Sequence, residues 1–155
     1  MERIASFTVD HNVLMPGLYL SRRDGQVTTF DLRFKKPNTG DLLSNAELHS
    51  IEHVIATFLR NSAAKDAVIY FGPMGCQTGF YFLFDAAQLT DAQAIELLQQ
   101  VFTQAGGFDG PMPGKSAKEC GNYVNLDIVL ARKCCAWYAD LIRGWTETQL
   151  VYPQA

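Results

Sequence analysis

No stretch of this 155-residue chain approaches the roughly 18–20 consecutive apolar residues that a membrane helix needs. The longest candidates are Ala67 to Phe71 and Phe80 to Phe84. Positive charge is also short, with Lys+Arg 13 against Asp+Glu 16 and a formal net charge of -3. No general positive field gathers phosphates, which argues against a nucleic-acid binder. The first residues, Met1-Glu2-Arg3-Ile4-Ala5-Ser6, lack the continuous apolar core of a secretory signal, so a cytoplasmic protein is expected. Histidine is scarce at 3, and cysteine at 4. Of the cysteines, Cys134 and Cys135 are neighbours, an awkward arrangement for a disulfide framework, so thiol chemistry or packing is expected instead.

What is abundant is apolar and aromatic: hydrophobic residues make up 48% and charged residues 19%, far from the composition that keeps a chain disordered. The length suits one domain spanning residues 1–155. Alternation predicts strands at Ser6 to Asp10, Leu18 to Arg22 and Val27 to Phe34, the last two joined across Asp24-Gly25, a favoured tight-turn pair. Phe30, Leu32 and Phe34 alternate with Asp31 and Arg33, giving one apolar and one polar sheet face, with Arg33 a solvated charge by default. Two further strands are expected at Ala67 to Phe71 and Thr78 to Asp85, with Cys76 on the intervening bend.

Ser44-Asn45-Ala46-Glu47 is a capping box, so a helix begins near Asn45 and runs to about Asn61. Thr90 with Gln93 opens a second helix, to about Gln104, and a Gly/Pro-rich loop from Gly106 to Gly121 follows. A third helix is predicted from about Asn125 to Arg143, with Cys134 and Cys135 filling core on its packing side. The resulting expectation is an α+β sandwich, a mostly antiparallel sheet with helices packed on it.

Chemistry concentrates at His49-Ser50-Ile51-Glu52-His53. Two imidazoles four residues apart project from one side of a helix, and Glu52 and the small Ala56 share that side. Two of the three histidines stand in this one motif, which is geometry for a metal with a carboxylate beside it. A catalytic divalent ion commonly takes three protein ligands and keeps an open position. The third donor is sought among Cys120, Cys76, His11 and a distant carboxylate; Cys120 leads because it ends a long loop beside Gly121. A His, His, Cys set suits Zn²⁺ or Fe²⁺ better than Mg²⁺ or Ca²⁺. Cys76, flanked by Gly75 and Gly79, is a candidate base or nucleophile if a cation stabilises its thiolate.

Several stretches together resemble the S-ribosylhomocysteine lyase (LuxS) family. They are Ser6-Phe7-Thr8-Val9-Asp10-His11-Asn12, Phe30-Asp31-Leu32-Arg33-Phe34 with Pro37-Asn38, Leu48-His49-Ser50-Ile51-Glu52-His53, Gly72-Pro73-Met74-Gly75-Cys76-Gln77-Thr78-Gly79-Phe80, and Cys120-Gly121. The resemblance implies His49, His53 and Cys120 as metal ligands, Glu52 and Cys76 as the acid/base pair, and Ser6, His11 and Arg33 around the substrate. It also implies Fe²⁺, replaceable by Zn²⁺, and a homodimer with active sites at the subunit interface. The implied reaction converts S-ribosylhomocysteine to homocysteine and dihydroxypentanedione, the autoinducer precursor of quorum sensing, within the activated methyl cycle. The carbonyl moves along the ribose, and the thiol then leaves by β-elimination.

Two rival readings remain at this point. An inverse-motif zinc peptidase shares HxxEH, with Glu119 available as a downstream acid. A metal-storing or sensing module would instead close four ligands around zinc with Cys76 and Cys120 together.

Overall fold

The computed structural model describes residues 1–155. Its frame is a four-stranded sheet of β1 (Gly17–Asp24), β2 (Val27–Arg33), β3 (Val68–Pro73) and β4 (Gly79–Asp85). The spatial order is β1-β2-β4-β3, and every neighbouring pair is antiparallel. Gly25, at φ 59, makes the predicted tight turn between β1 and β2. Three helices complete the α+β architecture: α1 (Asn45–Arg60), α2 (Asp91–Gly106) and α3 (Ile128–Leu141).

Both capping boxes close as the sequence predicts. The Glu47 N–H donates to Ser44 Oγ at 3.1 Å while Ser44 N–H donates to Glu47 Oε1 at 2.9 Å, and Thr90 with Gln93 repeats the exchange. The predicted third helix is shorter than expected. Asp127 accepts from the Val129 and Leu130 N–H groups and so fixes the start of α3, while Tyr123–Asn125 forms a separate 3-10 turn.

The expected strand at Ser6 to Asp10 is absent. Its alternation finds no sheet edge, and local bonds win: Ala5–Phe7 is a 3-10 turn, Thr8 donates from both N–H and Oγ1 to the Ala5 carbonyl, and Asn12 N–H donates to Asp10 Oδ1.

The helices pack on one sheet face, where Leu18, Phe30, Leu32, Phe80, Phe82 and Phe84 meet Ile51, Ile55, Leu98, Phe102, Cys135 and Tyr138 in one contiguous cluster of 29 buried residues. Phe34 stacks on Tyr138 with ring centroids 4.2 Å apart, joining the end of β2 to α3. Cys135 fills core as predicted, but Cys134 only half does so. It lines a cavity of about 250 Å³ with Phe34, Lys35 and Trp137, and its thiol donates to Glu47 Oε2 at 3.2 Å.

The opposite face carries Tyr19, Asp31, Arg33 and Tyr81, but it is not the solvated surface that alternation implies. Asp31 and Arg33 are 1% and 3% exposed and form an ion pair. No helix is long and apolar enough to cross a membrane.

Candidate metal centre and thiol cleft

Helical spacing brings His49 and His53 to one side of α1 with ring centroids 4.6 Å apart and planes at 87°. Each ring is held by an oxygen at Nδ1. His49 Nδ1 lies 2.6 Å from Asn125 Oδ1, and His53 Nδ1 lies 3.0 Å from the Pro113 carbonyl. A carbonyl oxygen only accepts, so each Nδ1 carries the proton and each Nε2 keeps its lone pair. This is how a metal-binding imidazole is oriented and its tautomer fixed.

The loop between α2 and α3 delivers Cys120. Its Sγ lies 3.3 Å from His49 Nε2, and one donor atom from each of His49, His53 and Cys120 falls within 4.8 Å of the others. Tetrahedral bonds of about 2.0 Å to nitrogen and about 2.3 Å to sulfur place such donors roughly 3.5 Å apart, so the three need little movement to grip one ion. The donor set, two borderline nitrogens and one soft sulfur, fits Fe²⁺ or Zn²⁺ and not a hard oxygen-seeking cation.

The same geometry removes other ligand candidates. Cys76 and His11 stand outside the cluster. Glu119, the acid a peptidase reading needs, accepts from Ser116 Oγ at 2.6 Å and is exposed. Ser50, inside the HxxEH motif, is fully buried and accepts from the Asp127 N–H at 2.9 Å, so its hydroxyl ties α1 to the start of α3. Glu52 is half-buried on α1 and takes part in none of the ion pairs of the chain.

Cys76 occupies the turn between β3 and β4, where Gln77 adopts φ 63. The turn is pinned: Met74 N–H donates to the Gly79 carbonyl, Gln77 N–H to the Met74 carbonyl, and Gln77 Nε2 to the Leu43 carbonyl. Gly79 is required beside it, since a Cβ there would run into the Leu32 carbonyl oxygen of β2.

The exposed Cys76 thiol lies 3.0 Å from Thr78 Oγ1 and 3.9 Å from Arg33 Nη1. Arg33 in turn donates to Thr78 Oγ1 at 2.7 Å and to both oxygens of Asp31, at 3.1 Å from Nε and 2.6 Å from Nη2. Burial works against the guanidinium charge, but Asp31 more than offsets it and raises the Arg33 pKa above its ordinary value. The guanidinium beside Cys76 is therefore permanently charged.

His11 and Cys76 share a cavity of about 310 Å³ with Pro37, Asn38, Gly40, Leu42 and Thr78. The His11 Nδ1 lies 2.9 Å from the Val9 carbonyl, which leaves its Nε2 available. Ser6 is elsewhere. It lines a hollow of about 290 Å³ on the helix-free sheet face with Ser21, Arg22, Thr29, Tyr70, Tyr81 and Leu83. The structure thus unites His49, His53 and Cys120, and unites Cys76, Arg33 and His11, while Ser6 stands apart within one chain. Asn125, Pro113, Gly114, Thr78 and Asp31 were not identified as site residues from the sequence. Pro113 and Gly114 lie in the Gly/Pro-rich loop, and Asp31 and Thr78 in stretches that carry the family resemblance, but only their place in the fold gives them a part in the site.

The family model described as S-Ribosylhomocysteinase (LuxS) matches residues 4–149. Among curated proteins, the chain is 44% identical to the S-ribosylhomocysteine lyase of Desulfotalea psychrophila and 42% identical to that of Clostridium beijerinckii, each alignment covering 99% of both chains. It is 40% identical to the S-ribosylhomocysteine lyase of Finegoldia magna, over 99% of this chain and 100% of that one. On this whole-length match the chain belongs to the S-ribosylhomocysteinase (LuxS) family.

Proposed function

We propose that residues 1–155 act as one lyase unit that cleaves S-ribosylhomocysteine to homocysteine and dihydroxypentanedione. The observation that carries this reading is the pairing, in one chain of this family, of a His49, His53, Cys120 donor cluster with a thiol held beside a buried guanidinium. His49 Nε2, His53 Nε2 and Cys120 Sγ would hold a divalent ion, Fe²⁺ with Zn²⁺ as a replacement. Bound there, such an ion supplies Lewis acidity that lowers the cost of negative charge developing on a substrate oxygen.

The chain's own groups move the protons. Moving the sugar carbonyl from the first carbon to the second, then to the third, requires a proton to leave the carbon beside each carbonyl and another to return one carbon away. Glu52, on the same side of α1 as the two imidazoles and free of ion pairs, is positioned to take and return such protons. Cys76 serves the other side of the sugar. As a thiolate steadied by Arg33 and Thr78 it accepts a proton, and as a thiol it gives one back.

With the carbonyl on the third carbon, loss of the proton from the fourth expels the homocysteine thiolate from the fifth, and that sulfur takes up a proton on leaving. No redox cofactor enters, because every step is a proton transfer or an elimination. His11, lining the Cys76 cavity, Ser6 and Arg33 are assigned to the substrate, and Arg33 also faces Cys76.

We assign the working form to a homodimer. Helices cover one sheet face only, and the other carries an open hollow with Tyr70 52% exposed at its rim. The N-terminal segment that bears Ser6 and His11 exposes Ile4 and Phe7 beside it. A second copy covering this face would bury that apolar surface and complete a site whose parts lie apart in one chain.

The test is release of free thiol from S-ribosylhomocysteine by anaerobically purified protein whose metal content has been measured, alongside a peptide-cleavage assay. Thiol release that tracks bound metal, without peptide cleavage, supports the lyase. Peptide cleavage without thiol release overturns it.

A further inference from the structure

The Asp31–Arg33 pair that faces Cys76 is gripped from a second side, by the C-terminal segment of the chain. After α3 the chain runs back to the edge strand β1. Trp145 Nε1 donates to the Leu18 carbonyl at 2.9 Å, and the Leu150 carbonyl accepts from the Leu20 N–H at 2.8 Å. The tail then reaches the helix-free face. Tyr152 stacks on Tyr19 with ring centroids 5.1 Å apart and planes at 24°, and its hydroxyl donates to Asp31 Oδ2 at 2.7 Å.

Asp31 Oδ2 accordingly accepts two hydrogen bonds, from Tyr152 and from Arg33 Nη2. With the carboxylate 1% exposed, water cannot replace either donor. A phenol donating to Asp31 draws off part of its negative charge and fixes its plane. The guanidinium fork is then locked with Nη1 toward Thr78 and Cys76, and more of its positive field is left for the thiol.

We propose that Tyr152 is a positioning residue for Cys76, acting through Asp31 and Arg33, so that the C-terminal tail tunes the group assigned above to proton transfer. The inference rests on that assignment for its consequence in turnover, but its effect on the thiol is independent of it. The titratable and charged groups around this chain of contacts are Tyr19 and Arg22 from β1, Asp31 and Arg33 from β2, Tyr81 from β4, Tyr138 from α3, and His11 from the N-terminal segment. Burial, followed by Asp31, raises the pKa of Tyr19, Tyr81 and Tyr152, so the three phenols remain neutral donors through the physiological range.

The experiment uses the full chain and Tyr152→Phe, which keeps the ring on Tyr19 and loses only the hydroxyl, together with a chain ending at Leu150. Alkylation of Cys76 by iodoacetamide is followed against pH by peptide mass spectrometry, and kcat and KM are measured for thiol release. In Tyr152→Phe the alkylation midpoint should rise by about half a pH unit, and kcat should fall about three- to tenfold at neutral pH with KM within about twofold. Removing residues 151–155 takes away the same hydroxyl and should raise the midpoint as well.

A tail that merely braces the fold would lower the melting temperature and leave the midpoint where it was; an unchanged or lowered midpoint in both variants overturns the proposal. If the unaltered protein releases no thiol from S-ribosylhomocysteine, the lyase reading fails, while the alkylation midpoints still decide the role of Tyr152.

Discussion

A Cβ at Gly114 would lie 2.8 Å from His53 Nδ1, the atom that His53 uses to bond the Pro113 carbonyl. Gly114 also adopts φ 68, where an L side chain is strained by about 1–2 kcal/mol. The loop therefore passes over the ring at a distance that only glycine permits, and in doing so fixes the tautomer that presents Nε2. Gly114→Ala should weaken binding of a divalent ion about 10- to 100-fold while leaving the far-ultraviolet circular dichroism of the chain unchanged. Metal titration of the chelated protein reads this directly; wild-type affinity would show that the loop does not orient His53.

Cys76→Ala tests whether the proton transfer proposed for Cys76 is separate from metal binding. Cys76 lies outside the His49, His53, Cys120 cluster, so the variant should keep its metal stoichiometry and lose thiol release by about 10²- to 10⁴-fold. Loss of metal from the folded variant would move Cys76 into the coordination shell.

Glu52→Gln keeps the shape of the side chain and removes the carboxylate proposed as the base. Metal content should be unaffected and turnover should drop at least about 100-fold. Normal turnover would take Glu52 out of the mechanism.

Stability on the alkaline side carries a signature of Cys134. Burial, then its bond to the Glu47 carboxylate, push this thiol up to about 12 from an ordinary value near 9.0. The folded chain keeps a proton that the unfolded chain gives up, so the stabilisation is complete below the unfolded value and is lost as pH rises toward the folded one. In Cys134→Ala the melting temperature should decline less steeply above pH 9 than in the unaltered protein. Parallel slopes would show that the thiol ionises as readily folded as unfolded.

Much of this was legible in the sequence because periodicity and local capping dictate it. The four paired strands and three helices follow from alternation, the Ser44 and Thr90 boxes and the apolar stripes. The HxxEH face follows from helical spacing alone. Cys120 was legible as a loop thiol beside glycine, and the family resemblance selected it from the other donors.

What was not legible lies in contacts between distant residues. His49 meets Asn125 across 76 positions, His53 meets Pro113 across 60, and Asp31 meets Tyr152 across 121, and no local pattern encodes such pairings. Arg33 was placed on the correct face, but its burial was hidden, because alternation reports direction and not what covers the surface. Ser6 to Asp10 alternates as a strand does, yet a strand needs a partner edge, and here the segment closes on itself through Asp10 and Ala5.

On the proposed reading, two imidazoles and one thiolate, from His49, His53 and Cys120, grip a divalent ion while Cys76 remains free to move protons. The absorption spectrum of the cobalt-substituted protein tests it most directly. The expected spectrum holds a sulfur-to-cobalt charge-transfer band with the intensity of a single thiolate, abolished in Cys120→Ser and unchanged in Cys76→Ala. A band of two-thiolate intensity that halves in Cys76→Ala would contradict it.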